Sequence, residues 1–150
     1  MAQFNGYLDI KNVVVLGQTR GLGNMGRVQK FVDSECIRLM APYTPFKNGV
    51  LEKSATIGTV IGSGEIVQST PYARYQYYGR VYGPNIPIYQ EGTGDIIGWF
   101  SPKGQKKYPT SRLLHHKKAK HPKAGPFWFD RMKADHKDDI LNGARKVAGI

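Results

Sequence analysis

The chain has 150 residues and a single cysteine, Cys36, which excludes an intrachain disulfide and a zinc knuckle built on cysteines. At this length one domain buries about 70% of the surface of its unfolded chain, enough for an unaided core. No apolar run approaches the roughly 20 residues of a membrane span, and the start of the sequence lacks the pattern of a secretory signal. We therefore expect one soluble, unsecreted domain of residues 1–150 in a reducing cytoplasm, or in a particle assembled there.

The formal net charge of +11 is unevenly distributed along the chain. Residues 1–75 carry eight Lys and Arg against five Asp and Glu, whereas residues 76–150 carry fourteen against six. A field of this sign attracts nucleic acid or an acidic protein surface and specifies neither of them.

Two elements are predicted in the first forty residues. The run Ile10–Leu16 is rich in β-branched residues and predicts a strand, which a glycine-rich stretch follows. Periodic apolar residues then predict a helix that begins between Thr19 and Gly26 and ends at Met40. Pro42 stops it, because the residue before a proline is pushed out of the helical region. The periodic residues are Leu22, Met25, Val28, Val32, Cys36 and Leu39.

The next predicted element is a β-hairpin over residues 54–69. Alternation in the run Ser54–Ile61 places Ala55 and Ile57 on one side of a strand, glycines at 62 and 64 supply a turn, and Glu65–Ser69 returns.

The second half contains a long arm and a terminal helix. Residues 79–126 hold six of the nine prolines and predict an extended arm at about 80–125, which can carry a small hairpin and is ordered by its neighbours. An apolar stripe then predicts a C-terminal helix that reaches Ala148, on Phe129, Met132, His136, Ile140, Ala144 and Val147. Together these elements predict an α+β fold: a small antiparallel sheet, a long helix after the first strand, a C-terminal helix and the arm.

The glycine-rich stretch matches two ligand-binding patterns only superficially. Gly21, Gly23 and Gly26 satisfy the spacing of a dinucleotide-binding turn, but no acidic residue follows at positions 39–49 and the predicted elements that come next are hairpins. The same residues contain the spacing of a nucleic-acid-clamping loop, which joins two helices, whereas a strand precedes this one. No cofactor is therefore predicted.

No catalytic or metal-binding set is predicted either, and we expect no enzyme activity. Lysines surround the histidines at 115, 116 and 121 and would repel a cation, while no carboxylate or cysteine completes a ligand set. His136 and Cys36 lie on apolar helix stripes, where packed side chains are the ordinary explanation. Asp135, Asp138 and Asp139 fit the polar side of the last helix.

The best candidate for nucleic-acid contact is the basic segment Arg112–Lys123. Its cations could neutralise several phosphates, although a solvated loop or a docking strip for an acidic partner has the same composition. These cations are Arg112, Lys117, Lys118, Lys120 and Lys123.

The run Ser69–Tyr82 has the composition of a protein interface, because large, semi-rigid tyrosine and arginine side chains anchor protein contacts. The alternative is that its tyrosines cap a small core. Spacing does not decide between the two, since both a helix and a strand would point some of the rings away from the body. The predicted interface residues, with two aromatic residues of the arm, are Tyr72, Arg74, Tyr75, Tyr77, Tyr78, Tyr82, Trp99 and Phe100.

The order of these features resembles a known family. A helix ends in APYTPFKNGVLEKSATI, a predicted hairpin follows, then TPYARYQYYG, and finally PFWFDRM opens the last helix. This order resembles the minor capsid proteins of long-tailed bacteriophages, within the HK97 gp10-like group of neck and tail-completion proteins. Two departures are the segment Thr44–Asn48, which replaces an Asp-Thr-Gly type of turn, and the longer arm Arg80–Gly125. The residues that carry the likeness are Gly49, Leu51, Ser54, Tyr72, Ala73, Arg74 and Gly79.

The resemblance implies a structural virion protein of the head-to-tail connector that forms a homo-oligomeric, sixfold ring between the DNA-filled capsid and the tail. The implied partners are neck, adaptor and tail-tube or tail-terminator proteins, with genomic DNA in the channel and no membrane. Contacts around a ring join unlike surfaces, and we expect these to be the tyrosine run and the arm. The alternative functions are a small basic nucleic-acid-binding protein and, less consistent with the residues, an enzyme that uses the histidines.

Overall fold

The computed structural model describes residues 17–150, and the predicted strand Ile10–Leu16 lies outside them. The fold is α+β, as the sequence predicts. None of the helices in the described residues is long and apolar enough to cross a membrane. The elements are α1 (Arg27–Met40), a 3-10 turn (Ala41–Tyr43), α2 (Val50–Gly58), α3 (Ala73–Tyr78), β1 (Arg80–Gly83), β2 (Ile86–Tyr89), β3 (Ile96–Phe100), β4 (Tyr108–Leu113) and α4 (Trp128–Ala148).

Helices α1 and α4 pack on each other and form the centre of a helical body. Both were predicted from their apolar period, and the structure confirms both helices and their ends at Met40 and Ala148. The predicted start of α1 is too early, since the helix begins at Arg27 and leaves Leu22 and Met25, 54% and 48% exposed, in the turns before it. Gly143, which weakens a helix by about 1 kcal/mol relative to alanine, has a packing reason: a Cβ at this position would overlap the ring of Phe31 on α1. The buried apolar side chains of the two helices are Val28, Met40, Trp128, Met132, Ile140, Ala144 and Ala148.

The predicted β-hairpin of residues 54–69 is wrong. Its first half belongs to helix α2, which buries Leu51, Ser54 and Ala55 at helical spacing. Ile57, which the alternating pattern places on the same side as Ala55, is 85% exposed. A run this short fits both periods, and only the helix brings Leu51 and Ala55 together into the core cluster with Met40 and Trp128. The returning segment, residues 65–69, forms no strand.

A buried carboxylate holds the turn after α2 against α1. Oδ2 of Asp33 accepts hydrogen bonds from the backbone amides of Gly62 at 2.7 Å and Gly64 at 3.1 Å, and its Oδ1 accepts one from Nε2 of Gln29 at 2.7 Å. Both glycines have positive φ angles, 103° and 79°, which side-chain-bearing residues rarely adopt. The turn is therefore specified by its glycines together with one acid on α1, and we call the contact of Asp33 with these two amides the acid clamp.

The arm contains all four strands of the described residues, arranged as two two-stranded antiparallel sheets instead of one sheet. β1 pairs with β4, and β2 pairs with β3. We call residues 86–100, which comprise β2, its turn and β3, the distal ribbon. After β4 the chain returns to the body, where the amide of Leu114 donates to the carbonyl of Gly79 at 2.9 Å and that of Phe127 donates to Tyr77 at 2.8 Å.

Candidate assembly interface

The distal ribbon is apolar and largely uncovered. Its strands pair with each other and make no extensive contact with the helices. An isolated two-stranded hairpin is marginally stable in water, so a surface that covered the ribbon would stabilise it. Seven of its side chains are large, hydrophobic and between 45% and 64% exposed: Ile86, Ile88, Tyr89, Ile96, Ile97, Trp99 and Phe100.

Both faces of the distal ribbon carry apolar side chains. Ile86 lies opposite Phe100 and Pro87 lies opposite Trp99. Because successive residues of a strand point to opposite faces, these two pairs occupy different sides of the ribbon. On one side the guanidinium of Arg112 in β4 lies 4.9 Å from the centre of the Trp99 ring. The arm therefore covers part of one face with its own cation.

The turn at the end of the ribbon is acidic. Glu91 and Asp95 are the only charged residues between positions 84 and 100, and both are exposed. They take part in none of the ion pairs formed within residues 17–150. The tip of the ribbon is therefore negatively charged, whereas the chain as a whole has a net charge of +11.

The tyrosine run is divided between core and surface. The Tyr77 ring packs edge-on against Trp128 at 4.8 Å, and its hydroxyl donates to Oδ2 of Asp130 at 2.7 Å. Burial and this hydrogen bond raise the pKa of Tyr77 to about 12. The rings of residues 72, 75 and 78 are 39 to 47% exposed. Arg74 is exposed beside them, and the rings of Tyr82 and Tyr75 meet edge to face with their centres 4.6 Å apart. One tyrosine of this run, Tyr77, therefore packs against the core, and the tyrosines at 72, 75 and 78 are exposed on the surface.

A groove of about 420 Å³, which we call the basic groove, lies beside the start of this run. Its walls are formed by residues 45–48 and Leu51, by Tyr72 and Gln76, and by the segment His115–Lys117. Lys47 and Lys117 are exposed, and Phe46 and Leu51 supply apolar surface. The groove thus combines positive charge with apolar contact area.

A second groove, of about 700 Å³, lies on the arm side of the body and is called the arm-side groove. Arg74, Lys106 and Lys107 supply its charge, and three tyrosines, at positions 75, 82 and 108, supply aromatic surface. Part of its wall, residues 101–109, follows the distal ribbon directly in the chain.

The predicted basic segment is folded onto the body at several points. Nζ of Lys120 lies 4.9 Å from the centre of the Phe46 ring, and Lys123 lies 4.9 Å from that of Tyr43 and donates to its hydroxyl at 3.2 Å. Lys118 is exposed. Arg112 lies apart from the lysines, on Trp99. The five predicted cations are therefore divided between the arm and the loop around Phe46.

The histidines are anchored separately within the described residues, and no three metal-ligating side chains converge there. Nε2 of His116 lies 3.0 Å from the carbonyl oxygen of Gln76, and Nδ1 of His121 lies 2.8 Å from that of Thr44. His136 lies between the Tyr43 hydroxyl, at 3.3 Å, and Asp139, at 3.2 Å. These three rings therefore each lie at hydrogen-bonding distance from a different part of the body, while His115 is exposed.

Two other sequence candidates have structural explanations. Burial, together with the carboxylates of Asp33 and Glu35, raises the pKa of the Cys36 thiol, which keeps it protonated at neutral pH. In the glycine-rich stretch a Cβ on Gly26 would collide with the backbone of Gly21, so close chain packing before α1 requires glycine there. Neither feature depends on a ligand.

The aliphatic residues of the distal ribbon were missed as interface candidates. The available signal was the pair of short apolar pieces, IPIY and IIGWF, on either side of the acidic turn QEGTGD. Comparison of the chain with protein-family models, with curated proteins and with solved structures gives no match.

Proposed function

We propose that this protein is a structural component of a phage head-to-tail connector and that its distal ribbon mediates its assembly into a ring. The observation that carries the proposal is the contrast in burial: the helical body covers Trp128 and Met132 almost completely, while the ribbon leaves seven large apolar side chains exposed. Exposed apolar side chains concentrated in one short element in this way mark a site of protein association. The order of sequence features, which resembles neck and tail-completion proteins, supplies the connector context.

A ring requires two unlike surfaces on each copy, because its contacts join head to tail and close by rotation. The distal ribbon is one surface. The body, with the exposed rings of Tyr72, Tyr75 and Tyr78 and the guanidinium of Arg74, offers the other. The proposed state is a sixfold homo-oligomer at the head–tail junction of the virion, in contact with neck, adaptor and tail proteins and with DNA in its channel. No reaction is assigned to it.

The test replaces apolar side chains on the ribbon and on the body by the same cation. Ile88→Lys combined with Ile97→Lys places two charges on the ribbon, whereas Ile57→Lys combined with Val60→Lys, the matched control, places two charges at exposed positions in and just after α2. We expect the ribbon variant to be a folded monomer by native mass and circular dichroism and to leave heads and tails unjoined in infected cells. The control assembles normally. Normal ring formation and joining by the ribbon variant would refute the proposal.

A nucleic-acid-binding role draws less support from the geometry. Lys120 and Lys123 already lie over aromatic rings, and Arg112 lies on the arm, so the segment does not present its cations along one surface. Such a role predicts tight binding of DNA by the isolated protein and a steep loss of affinity as salt rises. Weak binding at moderate salt would exclude it.

A further inference from the structure

We infer that the acidic tip of the distal ribbon docks into the basic groove of the next copy of this chain. The inference rests on the proposed ring and names the two surfaces that meet in it. The groove of one copy is occupied by the tip of a second copy. Two observations support this choice: the charges of tip and groove are opposite, and the two surfaces come from different parts of the chain.

The tip offers two carboxylates on an apolar stem. Glu91 and Asp95 are exposed and outside the ion pairs of the described residues, and exposed isoleucines and aromatic residues flank them on both strands. A receptor for such a tip must supply cations for the turn and apolar area for the strand ends beside it. An electrically neutral apolar groove would leave the two charges without partners.

The basic groove meets both requirements. Lys47 and Lys117 are exposed on its walls, His115 lies beside Lys117, and Phe46 and Tyr72 provide apolar contact area. Its volume of about 420 Å³ lies within the range of pockets that hold a small ligand, so it can take the side chains of a turn without taking the whole ribbon.

The groove and the tip come from different parts of the chain. The groove is built from residues 45–48 and Leu51, from Tyr72 and Gln76, and from residues 115–117, none of which belongs to the distal ribbon. One copy can therefore donate its tip and accept a neighbour's tip at the same time, as a closed ring requires. The arm-side groove lacks this separation, because its wall includes the segment 101–109 that continues the ribbon.

Charge reversal on each surface tests the contact. The tip variant carries Glu91→Lys and Asp95→Lys, and the groove variant carries Lys47→Glu and Lys117→Glu. We expect each variant alone to raise the dissociation constant of the oligomer at least about tenfold, since like charges then face each other. The chain with all four substitutions, and an equimolar mixture of the two variants, recover assembly because opposite charges meet again. Native mass measured across a dilution series gives the dissociation constant of the wild type, of each variant and of the mixture.

The matched control reverses the same number of charges beside the arm-side groove, with Lys103→Glu and Lys106→Glu, both of which are exposed. We expect this control to assemble with the wild-type dissociation constant, within about twofold. If it dissociates and the reversed tip rescues it, the tip docks at the arm-side groove and the inference is wrong.

Cross-linking keeps the test independent of any folding defect in the reversed chains. In a Cys36→Ser background, Thr93→Cys on the tip and Lys117→Cys on the groove should each remain uncross-linked alone, because a head-to-tail contact does not bring identical positions together. Mixed under mild oxidation, they should form covalent dimers. Dimers from either variant alone, or none from the mixture, would contradict the inference.

The outcomes separate the two proposals. If the wild type forms an oligomer, the charge-reversed variants assemble equally well and the cysteine variants give no mixed cross-link, then the docking of tip in groove is wrong and the proposed ring is unaffected. A wild-type chain that stays monomeric at every concentration and is absent from the head–tail junction of particles overturns both.

Discussion

The two tryptophans of the chain show how differently its two regions use the same side chain. Trp128, in the helical body, is 2% exposed, and its Nε1 donates to Oε1 of Gln68 at 2.9 Å. Trp99, on the distal ribbon, is 48% exposed and has the Arg112 guanidinium over its ring. A buried aromatic residue stabilises the fold of its own chain, whereas an exposed one retains area that only a complex can bury. The body is therefore the folding unit, and we expect the ribbon to be the binding unit.

The largest effect on stability is expected from the body. Trp128→Ala removes the largest fully buried side chain and leaves a cavity beside Tyr77 and Met132, which should lower the free energy of unfolding by about 3 to 5 kcal/mol. Chemical denaturation followed by circular dichroism measures it. A loss below about 1 kcal/mol would show that the core does not depend on this residue.

Loss of the buried acid on α1 should be the next largest effect. Asp33→Ala leaves the amides of Gly62 and Gly64 without their acceptor, at a cost of about 2 kcal/mol in the free energy of unfolding. Asp138→Ala on the exposed side of α4 is the control and should change it by less than about 0.5 kcal/mol. Equal effects of the two substitutions would argue against the clamp.

A pH-dependent effect is expected where the tyrosine run meets the core. The pKa of Tyr77 is about 12 in the folded chain, above the value near 10 of an unperturbed tyrosine. The stabilisation from its protonated hydroxyl is therefore complete below pH 10 and is lost as the pH rises through 12. Tyr77→Phe should show a smaller fall in the free energy of unfolding between pH 10 and 12 than the wild type. Parallel curves would contradict the assignment.

The smallest effect on the isolated chain should come from the ribbon. Trp99→Ala should lower the free energy of unfolding of the monomer by less than about 1 kcal/mol, because the side chain is half exposed. The same change should weaken assembly strongly, which native mass at fixed concentration would detect. If Trp99→Ala unfolds the chain as Trp128→Ala does, the division into folding unit and binding unit is wrong.

Prediction from the sequence succeeded where periodicity ran through several turns. The ends of α1 at Met40 and of α4 at Ala148 agree with the predicted ends, because an apolar stripe over 14 or 21 residues fits only a helix. It failed at residues 54–69, where a short run satisfied both the strand and the helix period. The acid clamp at Asp33 was not predicted, since its partners Gly62 and Gly64 lie 29 and 31 positions away.

The candidate interface was predicted in part. The composition of residues 69–82 predicts an aromatic interface, but no local pattern separates Tyr77, which packs on Trp128, from Tyr78, which is 47% exposed. That difference depends on where α4 lies relative to α3. The basic segment was likewise predicted from its run of lysines. Which of these lysines lie over aromatic rings and which extend into solvent was not predicted.

By itself the sequence determined the α+β class, the two long helices and the uneven charge, because local propensity, apolar period and residue counts are properties of neighbouring residues. The tertiary structure decided which aromatic residues are buried, how the strands pair in two separate ribbons, and that an acidic tip and a basic groove lie on different parts of one chain. These outcomes depend on contacts between residues far apart in the sequence, and such contacts form only when the helices pack.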